Sequence, residues 1–214
     1  MFTPPCPRDT SIPKRVIPWQ KFFIGNSLPV PNHRTGNIGM RKQQGARPRW
    51  FDSVLVTVRA DYASAGLVAA LSHALHRTGF ANLPTSRGVD DGLMLQDAYI
   101  LAAVRCAPPD NKPRPEEITR CLDHLDAELA ALPRVQVVVA LGRIAFDAWL
   151  QRLRRQGALP APRPAFGHGV VVRMGNGLPI VIGCYHPSRQ NTNTGVLTAP
   201  MIAAVFRKAR RLLS

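Results

Sequence analysis

The chain has 214 residues, 45% of them apolar, which suits one domain with a core large enough for a layered α/β fold. Twenty-eight Lys and Arg against thirteen Asp and Glu leave a net charge of +15, which attracts polyanions over about 8 Å at physiological salt and makes nucleic acid the leading class of partner. No apolar run of roughly 18 residues, amphipathic basic anchor or signal core is present, and four scattered cysteines cannot make a disulfide scaffold, so a membrane partner is not expected and a cytoplasmic location with free or metal-bound thiols is.

Residues 1–52 are basic and rich in proline, without sustained periodicity, and form an irregular N-terminal segment ahead of a domain spanning 53–214. Val54-Leu55-Val56-Thr57-Val58 is short and β-branched, as a buried strand should be. A helix follows over 63–77, with Leu67, Leu71 and Leu75 at helical spacing and Gly79 as its stop. Tyr99 to Val104 is a second apolar strand, leading into the loop Cys106-Ala107-Pro108-Pro109-Asp110-Asn111-Lys112-Pro113. Pro115 with Glu116 and Glu117 behind it opens the next helix. Val135 to Ala140 is a third strand, stopped at Leu141-Gly142 and followed by an amphipathic helix over 143–155. Leu178 to Gly183 is the last strand, and a helix from about Ala199 ends the chain.

Strands and helices alternate over connections long enough for crossovers. The expected fold is a three-layer α/β/α sandwich around a mainly parallel, four-stranded sheet, with the reacting groups at the carboxyl ends of its strands. The Cys106–Pro113 and His186–Gly195 loops both leave strands at that edge.

The chemistry concentrates in His186-Pro187-Ser188-Arg189-Gln190-Asn191-Thr192-Asn193-Thr194-Gly195, a polar run stiffened by Pro187 directly after an apolar strand. A histidine fixed there could donate a hydrogen bond to an oxygen on which negative charge develops, while the amides and hydroxyls behind it could hold DNA phosphates. The plainer alternative is a loop histidine bonded to backbone. Asn111 by its own chemistry is more often a turn residue than a catalytic one.

The His186 run resembles the His-Pro-Ser motif and its Gln-Asn-Thr extension in the family 5 (type B) uracil-DNA glycosylases. Val104 to Pro113 is similar to the same family's strand-end loop. His76-Arg77-Thr78-Gly79-Phe80, Ala140-Leu141-Gly142-Arg143 and Phe166-Gly167-His168-Gly169 carry the resemblance from about Ala63 to the C-terminus. It implies a monomeric, monofunctional glycosylase that flips uracil, or other deaminated bases such as hypoxanthine, out of double- or single-stranded DNA and hydrolyses the N-glycosidic bond. It further implies His186 facing the base, Asn111 polarising the base or orienting water, and Ser188, Arg189, Gln190, Asn191, Thr192, Asn193 and Thr194 lying against DNA. Cys6, Cys106 and Cys121 would be ligands of a 4Fe-4S cluster, with the fourth family cysteine replaced here by Thr3.

The family's first motif, in which a Thr-Gly-Asp aspartate activates water, does not stand between Val58 and Ala63. Arg59-Ala60-Asp61-Tyr62 stands there instead, making Asp61 the one acid placed to substitute, with a helix N-terminal charge as its other reading. Two other functions remain in view: a catalytically impaired DNA-binding relic of the same fold, and an unrelated basic α/β protein binding RNA.

Overall fold

The computed structural model describes residues 54–59, 65–86, 91–104, 114–130, 132–175 and 177–213. Its elements, in chain order, are β1 (Val54–Arg59), α1 (Ala65–Arg77), β2 (Ala98–Val104), α2 (Pro115–Ala130), β3 (Val137–Leu141), α3 (Arg143–Arg155), β4 (Val171–Val172), β5 (Ile180–Cys184), α4 (Arg189–Asn193) and α5 (Ala199–Arg211). The irregular segment expected over 1–52 lies outside the described residues.

One sheet runs through the domain in the order β2-β1-β3-β5-β4, with β2, β1, β3 and β5 mutually parallel and β4 antiparallel on the outer edge of β5. The sheet therefore has five strands, not the four expected from sequence. The fifth is two residues long, too short for a period-2 pattern, and exists because Val171 and Val172 pair with Ile182 and Val181. A second departure is α4: the polar run after His186 has the composition of a loop throughout, yet part of it winds into one short helix.

Side-chain alternation sorts the strands between two cores. Val54, Val56, Val137, Val139, Leu141, Ile182 and Cys184 face α1 and α5, where Leu71, Leu75, Ile202, Val205 and Phe206 meet them. Leu55, Val138, Ala140 and Val181 face the other way, toward α2 and α3 with Leu122, Leu125, Phe146, Trp149 and Leu153. Every residue of β3 is buried, which is why that stretch reads as an unbroken apolar run rather than an alternating one.

Local chemistry sets the helix ends. Pro115 sits first in α2, and Glu117 reaches back to accept the Arg114 backbone N–H at 2.7 Å, satisfying a donor the helix itself cannot. The carbonyls at the end of α1 are met from α5: Arg210 donates to Gly79 O at 2.7 Å, pairs with Asp97 at 2.7 Å and lies 3.8 Å over the Phe80 ring. Arg152 and Arg155 of α3 pair with Asp126 and Asp123 of α2, so the two helices on that face are joined at their solvent side.

Candidate active site at the carboxyl edge of the sheet

All four parallel strands deliver their carboxyl ends to one edge. Gly142 follows β3 there, and Tyr185 and His186 follow β5. β1 and β2 end at this edge too, while Asp61 and Asn111, which follow them in the sequence, lie outside the described residues, as do Cys6 and Cys106.

His186 is seated by its neighbour strand. Gly142 holds φ at +93°, a left-handed conformation that glycine adopts without penalty, while its N–H donates to Cys184 O at 2.7 Å. A Cβ built on Gly142 would stand 3.0 Å from His186 Cβ and 3.3 Å from its Cδ2. The imidazole thus rests against bare backbone. Its Nε2 is a buried atom, and buried polar groups interact more strongly than the same groups in water.

The backbone behind His186 is tied just as closely. His186 O accepts from Ser188 N at 2.8 Å and from Asn191 Nδ2 at 2.7 Å. Ser188 caps α4, its Oγ accepting the Asn191 N–H at 3.3 Å, as serine does at helix starts. Thr192 Oγ1 donates to Ser188 O at 3.0 Å and Thr194 Oγ1 to Gln190 O at 2.7 Å. Leu197, 1% exposed, pins the far end of the loop into the α1/α5 core.

These bonds divide the seven residues assigned to DNA. The side chains of Ser188, Asn191, Thr192 and Thr194 bond the loop's own backbone, and so shape it. Arg189, Gln190 and Asn193 are exposed on its outer surface. Two residues at this edge escape sequence reasoning as parts of a site. Gly142 reads as a strand stop, and a Gly after an apolar strand is its only signal. Phe166 packs edge-on to Phe146 at 5.5 Å and faces Tyr185 at 6.2 Å, with the Arg143 guanidinium 5.5 Å from its ring.

The 166–170 segment can lie beside β5 because Gly183 has no side chain. Gly183 N–H donates to Val170 O at 2.9 Å and Gly169 N–H to Gly183 O at 2.7 Å, and a Cβ at Gly183 would collide with the Gly167 carbonyl oxygen.

The two cysteines among the described residues, Cys121 and Cys184, do not come together. Cys121 is buried on α2, on the face opposite Cys184, which lies under α1 and α5. Burial pushes the Cys184 thiol up to about 12, and its place under α1 and α5, across the sheet from Cys121, keeps it from sharing a group with that residue. A 4Fe-4S cluster takes four thiolates. With Cys184 withdrawn, the four cysteines of the chain leave Cys6, Cys106 and Cys121, and the residues present do not supply an all-cysteine set. Among the described residues no three His, Cys, Asp or Glu side chains come together in a way that could hold a metal ion. Cys184 is expected to stay unmodified by iodoacetamide in the folded protein at about pH 8 and to react once denaturant exposes it; peptide mass spectrometry reads the difference, and alkylation of the folded chain at Cys184 would contradict its burial.

Comparison with known proteins shows the family of the chain. The family model described as the uracil DNA glycosylase superfamily matches residues 44–210. The chain belongs to the uracil DNA glycosylase superfamily. The match reaches upstream of Ala63, where the motifs legible in the sequence begin. Proteins named Type-5 uracil-DNA glycosylase are similar over much of this span. The protein from Mycobacterium tuberculosis is 46% identical over 140 residues, 65% of this chain and 51% of its own length. That from Thermus thermophilus is 45% identical over 139 residues, 64% of this chain and 60% of its own. A Type-4 uracil-DNA glycosylase of Archaeoglobus fulgidus is 46% identical over 55 residues, 25% of this chain and 27% of its own length. The aligned part of this chain thus spans about half to three-fifths of the Type-5 relatives' length. Among the described residues no helix is long and apolar enough to cross a membrane.

Proposed function

We propose that this chain is a uracil-DNA glycosylase that binds DNA through its basic surface, takes uracil out of the stack and hydrolyses the bond between base and sugar. The observation that carries the reading is the seat of His186: an imidazole held against Gly142 at the carboxyl edge of a parallel sheet, with its backbone carbonyl fixed by Ser188 and Asn191. Superfamily membership and the Type-5 relatives support the same reading.

Cleavage of the N-glycosidic bond leaves positive charge on the sugar and negative charge on the departing base. A preoriented donor at the base oxygen lowers that barrier, because the donor need not reorganise as charge develops. His186 takes this role. Asn111 polarises the base or orients the attacking water, with Asp61 as the acid available to activate it. Arg189, Gln190 and Asn193 meet the DNA backbone, on a loop whose form the side chains of Ser188, Asn191, Thr192 and Thr194 maintain. Flipping costs a few kcal/mol and costs least for a mispaired base, so a uracil opposite guanine is the preferred lesion and hypoxanthine a further substrate. The protein acts as a cytoplasmic monomer on double- or single-stranded DNA. No step is assigned to an iron-sulfur cluster.

The missing first motif favours one other reading, a DNA-binding relic without turnover. An assay of free uracil released from a duplex with one uracil opposite guanine separates the two. Release of base with the strand left intact is the expected outcome, while DNA binding with no released base identifies the relic.

A further inference from the structure

We propose that His168 is a positioning residue for the candidate active site, fixing the chain that carries His186 through one hydrogen bond that only a neutral imidazole can accept. The link to turnover rests on the glycosylase reading above; the structural part stands without it.

Tyr185 joins the last residue of β5 to His186, and it lies just beyond the ladder, since the pairing of β5 with β3 ends at Cys184. Its backbone N–H has left the sheet, and it donates instead to His168 Nδ1 at 3.2 Å. The two rings also lie together, with centroids 5.1 Å apart at 48°. One imidazole therefore replaces a ladder bond at the residue that precedes the candidate catalytic histidine.

The segment bearing His168 is itself fixed from two sides. Gly169 N–H donates to Gly183 O at 2.7 Å, and Lys208 of α5 donates to Gly169 O at 2.8 Å. Lys208 has a second effect. Burial first, and then the ammonium of Lys208, lower the His168 pKa from its ordinary value, while a hydrogen bond with the Met201 backbone pulls the other way. The titratable groups facing the ring are thus Lys208 from α5 and the Tyr185 phenol from the end of β5.

Neutral imidazole has one acceptor nitrogen and the cation has none. Protonation of His168 leaves the Tyr185 N–H facing another N–H. Because the folded value is depressed, the unfolded chain takes up the proton first as pH falls. The contribution of this bond is fully present above the ordinary histidine value, about 6.5, and is lost as pH falls through the lower folded value. Site geometry should fail over the same window.

The test compares wild type with H168N, which keeps an acceptor oxygen at the δ position but cannot titrate, and with H168A, which has no acceptor. Amide exchange at Tyr185 and His186 is followed by NMR beside uracil release from duplex DNA. H168A is expected to expose the Tyr185 amide to faster exchange and to lower kcat roughly ten- to a hundredfold, with KM for DNA within about twofold. H168N is expected to restore most of both and to remove the acid limb of the wild-type pH profile. Unchanged Tyr185 exchange and unchanged kcat in H168A, or an acid limb that persists unaltered in H168N, would overturn the proposal. A wild-type protein that releases no uracil refutes the glycosylase reading alone, since the amide measurement still decides the role of His168.

Discussion

Replacing His186 by alanine is expected to leave the fold intact and to lower the rate of uracil release roughly 10²- to 10³-fold, the usual cost of removing one preoriented donor from a site of developing negative charge. The fold should survive because the side chain rests on Gly142 at the rim of the sheet and is absent from both apolar cores. His186 O accepts from Ser188 N and Asn191 Nδ2, and alanine keeps that carbonyl. The loss should fall on kcat more than on KM, because Arg189, Gln190 and Asn193 remain to meet the DNA. Single-turnover release from a uracil-containing duplex, with a thermal melt alongside, measures both halves. A variant that releases uracil at the wild-type rate removes His186 from the chemistry, and with it the principal support for the proposed function.

The sequence made some of this legible and hid the rest for definite reasons. The core strands β1 and β3 announced themselves because parallel strands covered on both faces are continuous β-branched runs, as Val54–Val58 and Val137–Val139 are. Gly142 marked the end of β3, and Pro115 the start of α2, by local chemistry alone. By contrast, β4 is a product of pairing: Val171 and Val172 form a strand because Val181 and Ile182 lie beside them. The short α4 depends on Ser188 capping it and on threonine side chains bonding back into it, in a stretch whose composition reads as loop.

At the site, His186 was legible because it ends an apolar strand inside a motif. What supports it was not. Gly142 stands forty-four positions earlier and His168 eighteen positions earlier, and each meets the residues around 186 only because β3 and the 166–170 segment flank β5. Local pattern cannot carry that information, since it arises from strand order.

The same adjacency makes Gly142 a position where one added methyl group should act directly on the imidazole. Gly142→Ala forces a side chain onto a backbone at φ +93°, a conformation that costs non-glycine residues about 1–3 kcal/mol. The new Cβ would also stand 3.0 Å from His186 Cβ, closer than two carbons rest at their optimum of about 3.5–4.0 Å. Relief by moving Gly142 would strain its 2.7 Å bond to Cys184 O and the start of α3, where Phe146 N donates to Gly142 O. The imidazole is the softer side of the contact, so it should move. A shift of about 1 Å at a reacting group costs on the order of 10²-fold in rate, so the variant is expected to lose activity nearly as severely as His186→Ala while also melting at lower temperature. Double substitution discriminates the route: if Gly142→Ala acts through the imidazole, adding it to His186→Ala should lower stability but leave the residual rate almost unchanged, whereas two independent losses of rate would multiply.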